Sequence, residues 1–168
     1  MNPFRASFRI QFLLGFLACA GLLAYAFFTQ FREVNPLEPC PLCIFQRIAF
    51  FALGAVFVLG ALHAPVKAVG RRIYGVLALI PAIAGIAIAG RHVWITHLPA
   101  DQVPSCGAPF EFMRQSMGTF QLIQKVMTGS GECAKVDWTF LGLSMPAWSL
   151  VWLIALTLWV GYVAFRRR

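Results

Sequence analysis

Four stretches of the chain, at about 10–28, 44–62, 73–90 and 146–165, carry almost no polar side chain. Each is long enough to cross a hydrocarbon core, which takes about 17–25 mainly apolar residues. A backbone crossing lipid must satisfy its own hydrogen bonds, so these runs are predicted as helices. Between the third and fourth runs the pattern changes. Phe110, Met113, Met117, Phe120, Ile123 and Met127 recur at helical spacing amid Glu111, Arg114, Gln115, Gln121, Gln124 and Lys125. This predicts a short amphipathic helix, lying on the membrane surface or packed on the bundle. Asp101 to Pro104 and Pro109 predict an extended approach around Cys106, and Gly129-Ser130-Gly131 a flexible one before Cys133. Trp148, Trp152, Trp159 and Tyr162 on the last run are expected as interfacial anchors. With no repeat, low-complexity segment or linker, residues 1–168 read as one all-α integral membrane domain, a bundle of four transmembrane helices.

Composition supports this reading: 60% of residues are hydrophobic and 12% charged, against about 25% charged in soluble domains. The net charge of +8 raises the question of nucleic acid, and its distribution answers it. Four spans put both termini and the loop at about 63–72 on one side. That side carries Arg5, Arg9, Lys67, Arg71, Arg72, Arg166, Arg167 and Arg168, and no acid. The other side, with loops at about 29–43 and 91–145 and counting the span ends facing it, balances six bases, Arg47 among them, against six acids. Basic short loops stay cytoplasmic, so the termini are expected inside and the two cysteine-bearing loops outside. The positive charge is a topology signal, and no nucleic-acid partner is expected. Arg5, Arg9, the apolar run and Ala24-Tyr25-Ala26 also resemble a cleavable leader. The run exceeds the usual leader core, so it is expected to remain as a helix.

Four of the five cysteines fall in the outer loops: Cys40 and Cys43 in the first, Cys106 and Cys133 in the second; Cys19 lies inside the first span. An oxidising compartment favours disulfides there. A Cys106–Cys133 bridge would close a loop long enough to stabilise it by a few kcal/mol. A Cys40–Cys43 bridge removes little chain entropy, and short Cys-x-x-Cys rings favour reversible redox chemistry instead. A four-thiolate metal site is the third reading, but the second pair lacks the Cys-x-x-Cys spacing, so no metal is expected. Redox chemistry is the favoured reading. Cys19 is expected to be a buried, inert thiol.

Arg47 strengthens the redox reading. A second span beginning near Cys43 places that sulfur in the first helical turn, where free backbone N–H groups and the helix dipole favour an anion. Arg47, four residues on, shares its face, and Pro41 suits the helix entry. The competing reading of Arg47 is a cation snorkelling to headgroups. Thiol–disulfide exchange only moves two electrons between sulfurs. A reactive sulfur at the lip of the membrane therefore points to an acceptor dissolved in lipid, for which a quinone is the natural candidate. Arg47 would stabilise negative charge developing on its ring oxygen.

Cys40-Pro41-Leu42-Cys43 running into Ile44-Phe45-Gln46-Arg47, the Arg91-His92 pair, and Gly131-Glu132-Cys133 leading to Trp138-Thr139-Phe140-Leu141-Gly142-Leu143-Ser144-Met145-Pro146 resemble the DsbB family of bacterial inner-membrane disulfide-bond formation proteins. The resemblance spans nearly the whole chain. It implies redox pairs Cys40–Cys43 and Cys106–Cys133, with Cys106 attacked by a reduced DsbA-like periplasmic oxidase and Cys133 released. It further implies that Cys133 then pairs with Cys40, leaving Cys43 as the thiolate facing quinone, ubiquinone favoured and menaquinone the alternative. Arg47 and His92 would join Cys43 in binding that quinone; Gln46 is assigned no role, and His63 and His97 read as ordinary loop residues. Two rivals stand beside this: a related enzyme with a dedicated partner, and a non-enzymatic scaffold whose loops are braced by disulfides.

Overall fold

A computed structural model describes residues 7–33, 39–99, 101–103, 110–128, 131–136 and 138–166. Four long helices dominate it: α1 (Phe8–Phe31), α2 (Pro41–His63), α3 (Ala68–Thr96) and, after three short helices, α7 (Met145–Phe165). All four are long and apolar enough to cross a membrane. Large side chains such as Phe51, Leu62, Ile80 and Leu158 are about two-thirds exposed, the outward apolar surface that lipid covers. The architecture is a four-helix membrane bundle.

Neighbouring helices pack in the order α1, α2, α3, α7, whereas α1 and α7 meet only sparingly. Small residues allow the close approaches, as usual where lipid supplies no hydrophobic drive between helices. At Gly15 an added Cβ would fall 2.7 Å from the Phe57 ring, and at Gly85 2.9 Å from Leu153 and 3.1 Å from Ala49. The central core unites Phe12, Leu53, Phe57, Ala78, Ala82, Leu153 and Val160. Near the basic end, Trp159 Nε1 donates to the Gln11 carbonyl at 3.2 Å and fastens α7 to α1.

Three features depart from the sequence reading. The spans run longer than predicted, most of all α3, which continues through Arg91 and His92 to Thr96. His92 is therefore a buried helical residue and does not stand in a loop beyond the span. The stripe from Phe110 to Met127 does not form one helix. It is split into α4 (Phe110–Ser116) and α5 (Thr119–Thr128), with Gly118 between them. Met113, Leu122 and Val126 face inward, while Phe112, Phe120 and Ile123 remain exposed. Arg91 Nε donates to the Met127 carbonyl at 3.2 Å and anchors α5 to α3. Finally, β1 (Thr139–Phe140) and β2 (Leu143–Ser144) pair antiparallel just before α7. Leu141 and Gly142 both have positive φ, 52° and 77°, the backbone that a two-residue hairpin turn demands.

Candidate functional site: a thiol cluster beside a membrane cavity

The site begins with how α2 starts. Cys40 is its N-cap in extended conformation and Pro41 occupies the first helical position, where a missing N–H costs nothing. The Ile44 N–H makes the first helical bond, to the Cys40 carbonyl at 3.2 Å. Cys40 Sγ in turn accepts the Cys43 N–H at 3.4 Å, a sulfur doing the work of the usual capping oxygen. The two sulfurs come to 3.1 Å, with the Cys40 thiol donating to Cys43. Pro41-Leu42 thus folds the pair back on itself at a helix N-terminus.

Two other elements complete the cluster. Helix α6 (Gly131–Ala134) brings in Cys133, 1% exposed, in the same buried cluster as Cys40. The neighbouring Cys133, then the bond to Cys43 and burial, push the Cys40 thiol above the ordinary thiol range. Helix α3 contributes His92, whose Nε2 lies 3.6 Å from Cys40 Sγ and 3.2 Å from the Cys133 carbonyl. A carbonyl only accepts, so Nε2 carries the proton and Nδ1 of the neutral ring is an acceptor. Gln46 fills that acceptor at 2.9 Å through its side-chain NH2 group. Leu42, Ile95, Met113, Leu122 and Val126 pack around the sulfurs and enclose them.

On its far side Cys43 borders a cavity of about 520 Å³ between α1, α2 and α7, within the usual range for small-molecule sites. Leu22, Leu23, Phe50 and Trp152 give it an apolar floor and walls. Trp138 and Phe140 stack at 6.1 Å, Phe140 and Trp148 lie 6.1 Å apart, and Tyr25 meets Trp138 edge-on, so the hairpin lays an aromatic rim along it. Trp148 Nε1 donates to the Phe140 carbonyl at 3.0 Å and holds the rim to α7. Trp148 and Trp152, expected as interfacial anchors, thus line the cavity. Arg47 borders it too, its guanidinium donating to Gln30 Oε1 and, at 3.0 Å, to the Ala26 carbonyl, and lying 5.0 Å over the Phe27 ring.

Of the residues singled out in sequence, Cys40, Cys43, Cys133 and His92 converge, and Arg47 sits on the cavity wall beside Cys43. Cys106 lies outside the described residues. Cys19 is buried against Gly54 within the bundle, away from the cluster. Sequence reasoning missed Gln46 and the aromatic rim. The signal for Gln46 was available: an amide three residues from Cys43, on the same helical face, in an otherwise apolar run.

Fold and site together define a multi-pass membrane protein with a buried, multi-thiol centre. A family model described as disulfide bond formation protein DsbB matches residues 8–163. Disulfide bond formation protein B of Xanthomonas euvesicatoria pv. vesicatoria is 58% identical over 168 residues, covering 100% of this chain and 96% of that protein. The protein of the same description from Xylella fastidiosa strain Temecula1 is 49% identical over 171 residues, covering 100% and 98%. The chain belongs to the DsbB family, and its role is that of a disulfide oxidoreductase in disulfide-bond formation.

Proposed function

We propose that this protein reoxidises a DsbA-like dithiol oxidase in the periplasm and passes the electron pair to a quinone of the bacterial inner membrane, ubiquinone favoured and menaquinone the alternative. Both termini then lie in the cytoplasm. One observation carries this reading: Cys43 belongs at once to the thiol cluster and to the wall of the cavity. The lining suits a quinone, with aromatic and aliphatic side chains for ring and tail and the Arg47 guanidinium for a ring oxygen. A bound quinone supplies the capacity to accept two electrons and two protons.

The remaining steps belong to the chain's own sulfurs. A partner thiolate attacks Cys106 of the Cys106–Cys133 disulfide, forming a mixed disulfide and releasing Cys133. The partner's second thiol resolves that bond and leaves oxidised. The next step is attack by Cys133, buried in one cluster with Cys40, on a Cys40–Cys43 disulfide. That attack forms Cys133–Cys40 and releases Cys43 as the leaving thiolate at the helix N-terminus. Cys43 donates the electron pair into the cavity, and the Cys40–Cys43 bond re-forms as Cys133 returns to Cys106. The sum oxidises two partner thiols to a disulfide and reduces one quinone by two electrons and two protons.

The test is quinone reduction by the purified protein with a reduced dithiol partner, followed by absorbance. Turnover is expected in the wild type and is expected to vanish in Cys43→Ser; a variant that still consumes quinone refutes the relay. A single-cysteine partner is expected to be trapped covalently on Cys106. Capture on Cys133 or Cys40 instead would reverse the assigned order.

A further inference from the structure

We propose that the reduced thiol cluster is also a binding site for a thiophilic divalent cation of the Zn2+ class, and that occupancy holds the relay off. Cys40 Sγ, Cys43 Sγ and a ring nitrogen of His92 all lie within 4.8 Å of one another. These three side chains are the donor set. Two cysteines and a histidine are a recognised zinc set, with a water in the fourth tetrahedral position. Zinc bonds of about 2.3 Å to sulfur and about 2.0–2.1 Å to nitrogen give tetrahedral edges of about 3.8 Å between sulfurs and about 3.6 Å from sulfur to nitrogen. The Cys40 Sγ to His92 Nε2 separation is already 3.6 Å. The two α2 sulfurs stand at 3.1 Å and need to part by about 0.7 Å to reach the tetrahedral edge.

Spacing along the chain conceals this set, because its ligands come from the start of α2 and from α3 and not from two Cys-x-x-Cys pairs. The surroundings suit it as well. When Nε2 binds a metal, Nδ1 takes the ring proton and needs an acceptor, as metal-bound histidines normally have. Gln46 meets that need by turning its amide over, so that Oε1 replaces the NH2 group now 2.9 Å from Nδ1. Leu42, Ile95 and Val126 shield the cluster from solvent. Coordination replaces one proton on each ligating thiol and moves no electron. The same sulfurs cannot hold the metal and form a disulfide, so binding and the relay exclude each other.

The experiment uses the full-length protein, reduced and freed of reductant under anaerobic conditions in detergent, with no quinone or partner present. Co2+ serves as the spectroscopic probe and Zn2+ as competitor against a chelating indicator. One equivalent of Co2+ is expected to give thiolate-to-metal charge-transfer bands with tetrahedral d–d absorption, displaced by one equivalent of Zn2+. Affinity is expected to fall at least about tenfold, the size of loss typical even of outer-shell changes, in Cys40→Ser and in His92→Ala, and to be unchanged in Cys19→Ser. Oxidising the wild-type protein is expected to abolish binding and re-reduction to restore it, a comparison that needs no variant to fold. Zn2+ is then expected to slow oxidation of the cluster until chelator is added. Binding that survives oxidation, or that ignores the loss of both Cys40 and His92, overturns the proposal. Failure of the quinone assay leaves this titration unaffected, so the two readings fall separately.

Discussion

In a Gln46→Met variant the volume of the side chain is nearly kept, while His92 Nδ1 loses the amide donor 2.9 Å away. Gln46 and His92 are 4% and 3% exposed, so bulk water does not replace the donor. A buried polar group left unpaired costs about 1–3 kcal/mol. The ring can escape that cost by moving its proton from Nε2 to Nδ1, but then a bare Nε2 faces the Cys133 carbonyl at 3.2 Å. Both outcomes degrade the ring donor that His92 directs at Cys40 and the Cys133 backbone. If the loss falls on the geometry in which the sulfurs react, 1–3 kcal/mol becomes a slowing of about 5-fold to about 150-fold, each 1.36 kcal/mol being tenfold. The assay is partner oxidation under saturating quinone, alongside thermal unfolding in detergent. A double-mutant cycle separates positioning from simple destabilisation. In a His92→Ala background Gln46→Met is expected to cost nothing further, because the amide then has no ring to orient. Additive losses, or a Gln46→Met enzyme within about twofold of wild type, a change worth only about 0.4 kcal/mol, would refute the assignment.

Arg47→Gln removes a charge-assisted donor from the cavity wall, an interaction of about 1.5–3 kcal/mol; the apparent quinone KM is expected to rise at least tenfold or so, measured by varying quinone at fixed partner. Trp138→Ala opens the aromatic rim that stacks on Phe140 at 6.1 Å; quinone KM is expected to rise while stoichiometric thiol exchange with the partner, measured by acid quenching, stays intact. Gly15→Val drives a side chain into the Phe57 ring, 2.7 Å from where its Cβ would stand; overpacking of about 1–3 kcal/mol is expected as a lowered Tm in detergent. The Cys40 thiol, held above the ordinary range first by Cys133, stays protonated as pH passes through neutrality. Its alkylation is expected to accelerate only at clearly alkaline pH, and to shift toward neutral pH in Cys133→Ala.

The four spans were legible because lipid asks little of a sequence beyond length and uniform apolarity. Their ends were harder to read. Arg91 and His92 look like a boundary, yet α3 runs on to Thr96 because Gln46 and the Cys133 carbonyl give His92 polar partners inside the protein. The hairpin was hidden because Leu141-Gly142 lacks the Asn-Gly or Asp-Gly signature of its turn. In the second outer loop the helical period was visible, but Gly118 breaks it, and Leu122 and Val126, outside the stripe, face inward while Phe120 and Ile123 stay exposed. As for the site, the Cys40–Cys43 spacing and its place at a helix start could be read directly. That His92 and Cys133 meet Cys40 depends on the rotation of α3 and the path of the second loop, which no local pattern encodes.

The sparse seam between α1 and α7, pinned near the basic end by Trp159 and Gln11, has a consequence for supply. On the proposed function, a cavity bounded by these two helices would be stocked sideways, from molecules already partitioned into the bilayer. Its occupant is then governed by abundance in the surrounding lipid as much as by fit. Moving such a protein to a host with a different lipid-soluble pool would exchange its working partner without altering a single residue.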